Sequence, residues 1–148
     1  ITVTDKRMTR FTLLLDEAIN FVLDCAINML GGEIFIPKLP SYNICQLAKV
    51  IDPNSKIKEI GIRPGEKLHE EMITASDSYN TVDLGKYYAI LPQKSPYSLY
   101  SKDDYKKAFN GVDVPNEFSY NSGNNTEWET IESLRELVKI HVDPNFIA

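Results

Sequence analysis

The chain has 148 residues, a formal net charge of −5 and the composition of an ordinary globular protein. Its basic residues are scattered along the sequence, which argues against a nucleic-acid groove or an anionic membrane surface as a partner. No apolar run is long enough to span a bilayer and no signal peptide stands at the start, so we expect no membrane span.

The cysteines and histidines predict no metal centre. Cys25 and Cys45 have neither metal-binding spacing nor the pattern of a disulfide framework, so we expect buried thiols in a reducing, cytoplasmic compartment. His69 and His141 are the only histidines, and His69 lacks the second histidine four residues later that a zinc helix would need. Since the chain begins at Ile1, we also expect a fragment or a processed chain.

The first third of the chain predicts a strand, a long helix and a second strand. Residues 1–5 alternate as a strand does, and residues 12–30 carry an apolar stripe with helical spacing, with Thr9 or Thr12 as the N-cap. The stripe consists of Leu15, Ala18, Ile19, Val22, Ala26 and Met29. Residues 33–37 are consecutively apolar, which predicts a strand buried on both faces of a parallel sheet.

Two arginines stand before the long helix. Arg7 and Arg10 are three residues apart, so either one would be placed to meet a phosphate there. The alternative is a solvated turn in which Arg7 pairs with Asp5. The sequence leaves both interpretations open.

The densest chemistry lies in residues 61–72, which follow a predicted helix at 43–51, capped by Ser41 or Asn43, and a predicted strand at 56–62. Arg63 would leave that strand toward a cleft, Pro64 fixes one φ angle, and a helix is predicted to start near Glu66. An arginine fork beside a helix N-terminus suits a phosphate. The alternative is a simple turn with Arg63 paired to a surface carboxylate.

The remaining residues predict fewer regular elements. We expect a loop at 74–83, a strand at 86–91, and a short helix at 103–109 within the otherwise aperiodic segment 92–117. Residues 118–125 have too many side-chain amides for an ordinary strand, and Thr126 would cap a last helix at 127–140. Helices alternate with strands over the first half, which predicts an α/β fold.

Four segments, in this order, carry a family resemblance. They are Val3 to Phe11, Gly32 to Lys38, Arg63 to Glu70 and Phe118 to Ser122. They resemble the C-terminal part of the inverting UDP-N-acetylglucosamine 4,6-dehydratases, a branch of the extended short-chain dehydrogenase/reductases that opens the pseudaminic acid pathway. The resemblance implies a substrate-binding lobe together with edge elements of a Rossmann-like doubly wound domain.

That resemblance implies roles for particular residues. Arg63 would contact the diphosphate of a UDP-sugar, Glu66 would accept hydrogen bonds from the ribose hydroxyls, and Thr9 and Arg10 would line the phosphate entrance. Residues 1–55 would belong partly to the Rossmann edge, and residues 56–148 to the substrate lobe and C-terminal tail.

The resemblance also implies what this chain lacks. The family's Gly-rich loop and Tyr-x-x-x-Lys pair lie in the N-terminal half, so no catalytic residue and no NADP-binding residue is assigned here, and the chain alone should be inactive. The complete enzyme would bind NADP through that missing half, assemble as a homo-oligomer, and make a 4-keto-6-deoxy UDP-sugar for surface polysaccharide or flagellin glycan. A related nucleotide-sugar epimerase or dehydratase, and a non-catalytic UDP-sugar-binding or assembly module, are the alternatives.

Overall fold

The computed structural model describes residues 1–92 and 100–147. Within these ranges there are four α-helices, namely α1 (Leu15–Asn28), α2 (Ile44–Ile51), α3 (Lys102–Phe109) and α4 (Ile131–His141). The strands are β1 (Thr2–Val3), β2 (Thr9–Phe11), β3 (Ile34–Pro37), β4 (Ser41–Asn43), β5 (Lys58–Glu59), β6 (Glu71–Ile73), β7 (Thr81–Asp83), β8 (Tyr87–Ile90), β9 (Val112–Asp113) and β10 (Tyr120–Asn121). This mixture of helices and small sheets confirms the α/β class. Part of the segment predicted to be aperiodic, residues 93–99, lies outside the described residues.

The chain divides into two compact units, neither of which is continuous in sequence. The first unit comprises residues 1–12, 39–70 and 121–148, and the second comprises residues 13–38 and 71–120. The predicted division of the chain at residue 55 stays a prediction.

The first unit contains two small sheets and two helices. β1 pairs with β5 in parallel, and β2 pairs with β4 in antiparallel register, with Arg10 opposite Tyr42. α2 packs against α4, where Ala48, Val50 and Leu134 are buried. Asn43 caps α2 as predicted, since its side chain accepts the Cys45 N–H at 2.8 Å.

The second unit is built on a four-stranded sheet in the order β3, β8, β7, β9. All its pairings are antiparallel, so the prediction of a parallel sheet is wrong. β3 lies at an edge of this sheet and Ile34 is 61% exposed, so the prediction that this strand is buried on both faces is also wrong. Val82, Ala89, Leu91 and Tyr105 form the core of this unit, and the predicted strand at 86–91 and helix at 103–109 are confirmed as β8 and α3.

Helix α1, predicted from its apolar stripe, has no buried residue. Leu15 is 76% exposed, Val22 62% and Ile27 81%. On another side, the Phe21 ring contacts the Tyr87 ring edge-on, with centroids 5.8 Å apart. The predicted caps are also wrong: Thr9 lies in β2, and Leu14 precedes the helix with its N–H on the Glu17 carboxylate at 3.2 Å. Within the described part of the chain, this apolar helix surface is uncovered.

The segment at 74–83 and the start of the last helix also differ from their predicted form. The segment expected to be a loop at 74–83 contains a 3-10 turn, Asp77–Asn80, and strand β7, in which Thr81 and Val82 are fully buried. The last helix starts at Ile131 and is capped by Thr130 rather than Thr126. Residues 127 and 129 are held beside β4 instead, since the Ser41 N–H donates to the Glu127 carbonyl and the Glu129 N–H donates to the Ser41 carbonyl.

Candidate functional site

A buried polar network in the first unit joins strand β2 to two later segments. Thr9 Oγ1 lies 2.7 Å from His69 Nδ1 and 2.7 Å from Ser122 Oγ. The Glu70 N–H donates to Ser122 Oγ at 2.9 Å, and the Ser122 N–H donates to the Glu70 carbonyl at 2.8 Å. Thr9 is 4% exposed and Ser122 is fully buried. The network therefore fixes the backbone of residues 68–70 between β2 and the C-terminal segment.

The imidazole of His69 is packed against the backbone of Gly123. A Cβ added at Gly123 would lie 2.6 Å from His69 Nδ1 and 2.7 Å from Cγ, so no side chain fits there while the ring keeps its place. The φ angle of Gly123 lies outside the left-handed range, so the glycine is required for space rather than for backbone conformation.

Arg10 holds the same segment through its guanidinium. It donates to the carbonyls of Thr9 at 2.6 Å, Lys67 at 3.1 Å and Leu68 at 3.3 Å, and its Nε lies 3.4 Å from a Glu70 carboxylate oxygen. Its side chain is 22% exposed. Five donors on a planar group can satisfy several carbonyls at once, so Arg10 acts here as a brace for residues 67–70.

These contacts explain why the predicted helix near Glu66 is absent. The Lys67 and Leu68 carbonyls, which a helix would offer to amides four residues later, are used by Arg10, and the Leu68 carbonyl also accepts the Thr9 N–H at 3.1 Å. The chain instead makes a turn from Arg63 to Glu66 and reaches strand β6 at Glu71. The prediction of a phosphate site at a helix N-terminus is therefore wrong in its helix, and the preceding strand is limited to Lys58–Glu59.

The turn itself fixes the backbone of Arg63. The Glu66 N–H donates to the Arg63 carbonyl at 3.1 Å, and the Arg63 N–H donates to a Glu66 carboxylate oxygen at 3.1 Å. Gly65 has a φ of 81°, a value that favours glycine. The other Glu66 oxygen accepts from Thr4 Oγ1 at 3.4 Å. The alternative of a Pro-Gly turn is thus correct for the backbone, and the turn places Arg63 and Glu66 together.

The Arg63 side chain is exposed, and among residues 1–92 and 100–147 its guanidinium has neither an ion pair nor a hydrogen bond. The alternative of a surface ion pair is therefore not what the described residues show. Two hollows on the described surface lie elsewhere: one of about 440 Å³ is lined by α4 residues including Glu132 and Arg135, and an apolar one of about 270 Å³ is lined by α1 residues including Ile19 and Val22.

Arg7 has a different role from Arg63. Its guanidinium pairs with the buried Asp5 carboxylate, with Nη2 at 2.7 Å and Nε at 3.0 Å, which is the pairing proposed as the alternative to a phosphate contact. Hydrogen bonds from the Arg7 side chain and backbone N–H lower the pKa of Asp5 from 3.8 to about 2. Of the two early arginines, only Arg10 reaches the loop that carries Arg63.

The loop from Arg63 to Glu70 is thus held by Thr9, Arg10 and Glu66, and the Arg63 side chain is exposed on it. No sequence pattern predicts a role at this site for His69, Ser122 or Gly123. Their only signal was position, since Ser122 and His69 stand in two of the four family-like segments. Among the described residues, no group of three His, Cys, Asp or Glu side chains is arranged to hold a metal ion, and none of the described helices is both long and apolar enough to cross a membrane.

Comparisons with known proteins identify the family. Two UDP-N-acetylglucosamine 4,6-dehydratases (inverting) from strains of Campylobacter jejuni are 43% and 44% identical to this chain, over 142 and 141 residues. Each match covers 92% of this chain and 41% of the relative, in the relative's C-terminal portion. The X-ray structure of Pen from Bacillus thuringiensis superposes with a TM-score of 0.69 at 31% identity, covering 93% of this chain and 40% of that chain.

This chain therefore spans about two fifths of the length of the relatives that it matches. The family model described as polysaccharide biosynthesis protein matches residues 1–92. These residues include the braced loop from Arg63 to Glu70, with its supports Thr9 and Arg10. The chain belongs to the polysaccharide biosynthesis protein family.

Proposed function

We propose that the complete protein is an inverting UDP-N-acetylglucosamine 4,6-dehydratase, and that this chain supplies its grip on the nucleotide. The observation that carries the proposal is a combination at one loop. Arg10 and the Thr9 network brace its backbone, and the Arg63 guanidinium has no partner among the residues that the structure describes. An arginine binds diphosphate oxygens best when its backbone is fixed and its guanidinium donors are unpaired.

Each predicted site residue has a place in this proposal. Arg63 donates to the diphosphate. Glu66 already accepts the Arg63 N–H and the Thr4 hydroxyl, and a carboxylate has further lone pairs for a ribose cis-diol. Thr9 and Arg10 are positioning residues, since their polar atoms are used within the protein. Binding energy on the non-reacting nucleotide orients the sugar for the chemistry.

The cofactor of the proposed reaction does not belong to this chain. Its seven glycines form no Gly-x-Gly-x-x-Gly run and it has no Tyr-x-x-x-Lys pair, so the residues here do not fit NADP. In the proposal an N-terminal portion like that of the longer relatives would hold NADP, which would supply the hydride-transfer chemistry there. This chain binds and orients the nucleotide.

The exposed side of α1 fits the same proposal. Six large apolar residues from Leu15 to Met29 are between 49% and 81% exposed, and in a complete protein the N-terminal portion would cover them. The residues predicted as Rossmann edge would then join that domain through α1. We further propose a cytoplasmic homo-oligomer that supplies a 4-keto-6-deoxy sugar nucleotide to a pseudaminic acid type pathway.

Product analysis tests the proposal. The complete protein, incubated with UDP-N-acetylglucosamine and followed by NMR, should yield a 4-keto-6-deoxy sugar with inverted configuration at C5. A product that keeps its 6-hydroxyl and differs only at C4 would identify an epimerase instead. Binding of the sugar nucleotide without turnover would identify a non-catalytic module.

A further inference from the structure

His69 stands out among the polar residues because the proposed function gives it no role although the fold holds it tightly. Gly123 packs on its ring and Thr9 bonds its Nδ1. It belongs to the same loop as Arg63 and Glu66. Because the His69 ring is held on one face and at Nδ1, its other nitrogen, Nε2, has a defined position.

The hydrogen bonds determine where the ring proton lies, since each hydroxyl has a single proton to donate. Ser122 Oγ accepts the Glu70 N–H at 2.9 Å, and its own proton has Thr9 Oγ1 as acceptor at 2.7 Å. Thr9 in turn donates to His69 Nδ1, 2.7 Å away. In the opposite direction His69 Nδ1 would donate to Thr9 and Thr9 to Ser122 Oγ, which would leave the Ser122 proton without an acceptor on a fully buried side chain.

In the neutral ring, Nδ1 is therefore the unprotonated nitrogen and the proton lies on Nε2. Within the described part of the chain, Nε2 has no hydrogen-bond partner. The buried side-chain atoms without a partner do not include it, so Nε2 is not fully buried. The outer edge of the ring is thus an accessible N–H donor that is fixed in direction.

We propose that His69 contacts the substrate: its Nε2–H donates one hydrogen bond to an oxygen of the bound sugar nucleotide. The inference rests on the proposed function, since it takes its ligand from there. A neutral N–H suits a diphosphate oxygen as well as a sugar hydroxyl or amide carbonyl. The Thr9–Ser122–Glu70 network then both braces the loop and sets the tautomer of the donor.

The first test reads the tautomer directly. The complete protein, with ¹⁵N-labelled histidine rings, should show for His69 an unprotonated Nδ1 and a protonated Nε2, assigned by the peaks that His69→Asn removes. The exposed His141 is the internal reference, assigned by His141→Asn, and should show exchange between tautomers. A protonated Nδ1 or a tautomer mixture at His69 would overturn the inference.

The second test removes only the outer donor. In His69→Asn the amide oxygen can replace Nδ1 as acceptor for Thr9, but nothing replaces Nε2–H, whereas the longer amide of His69→Gln reaches toward the Nε2 position. We expect His69→Asn to bind about 3- to 10-fold more weakly by calorimetry, with His69→Gln closer to the unsubstituted protein. A loss seen with UDP alone assigns the acceptor to the diphosphate, and a loss seen only with UDP-N-acetylglucosamine assigns it to the sugar.

The outcomes separate the two proposals. Binding by His69→Asn within about twofold of the unsubstituted protein, with unchanged thermal unfolding, would overturn this inference and leave the proposed function intact. Failure of the unsubstituted protein to bind either nucleotide would overturn the proposed function and this inference with it.

Discussion

The packing of His69 on Gly123 allows a test in which the cost of a methyl group depends on a single neighbour. In Gly123→Ala the new Cβ would lie 2.6 Å from His69 Nδ1 and 2.8 Å from Cε1. Ordinary contact begins near 3.4 Å, so the ring or the turn must move by about 0.8 Å. Such a movement stretches the 2.7 Å bond to Thr9. Overpacking of this kind costs about 1–3 kcal/mol.

The double-mutant cycle isolates that contact. With His69→Ala the clash disappears, and since Gly123 has no left-handed φ, adding Ala should then be neutral or stabilise by about 0.4–1 kcal/mol through the unfolded state. Denaturant unfolding of the four proteins measures both costs. Gly61→Ala is the control, because its φ is +89° and nothing lies within 4 Å of the added Cβ. Its strain should be equal in both backgrounds. An equal loss from Gly123→Ala in both backgrounds would refute the packing argument.

Three further predictions follow from the contacts. Arg10→Met should destabilise by about 1–2 kcal/mol in denaturant unfolding, because three carbonyls and Glu70 lose a charged donor; a change within about 0.3 kcal/mol would contradict the brace. Asp5 has its pKa lowered to about 2 by Arg7, so the stability it contributes is present above pH 3.8 and is lost as pH falls through 2; Asp5→Asn should remove that pH dependence from acid unfolding, and an unchanged curve would contradict the pairing. Val22→Lys should lower light scattering by the isolated chain and destabilise the complete protein by about 1–3 kcal/mol, whereas a neutral effect on the complete protein would mean that α1 is not covered there.

Elements with a strong local signal were predictable from sequence. The i, i+3, i+4 spacing of apolar residues predicted α1. The cap residue Asn43, with the apolar residues that follow it, predicted α2, and the aromatic run predicted β8. The sheet's strand direction was not predictable, because a strand of consecutive apolar residues such as β3 can also lie at the edge of a sheet, paired with one antiparallel strand. The apolar stripe of α1 was predictable from its spacing, and in the proposed complete protein the N-terminal portion would cover it.

At the site, too, features set by local sequence were predictable and features set by distant residues were not. The Pro-Gly turn was readable, because Pro64 and Gly65 act through local φ angles. The absence of a helix after it was not, since the competing bonds come from Arg10 and Thr9, which are 57 to 59 residues away in the chain. The Thr9–His69–Ser122 network joins three distant segments through single polar atoms, and residues of these types leave no periodic signal. Only tertiary structure brings them together.

The central claim is that the Arg63 guanidinium grips the diphosphate of a sugar nucleotide. Calorimetry of UDP-N-acetylglucosamine with the complete protein tests it most directly, comparing Arg63→Ala with Lys67→Ala, an exposed control in the same loop with the same loss of charge. We expect binding about 10- to 100-fold weaker for Arg63→Ala and within about twofold of the unsubstituted protein for Lys67→Ala. Equal affinities for the unsubstituted protein and Arg63→Ala would contradict it.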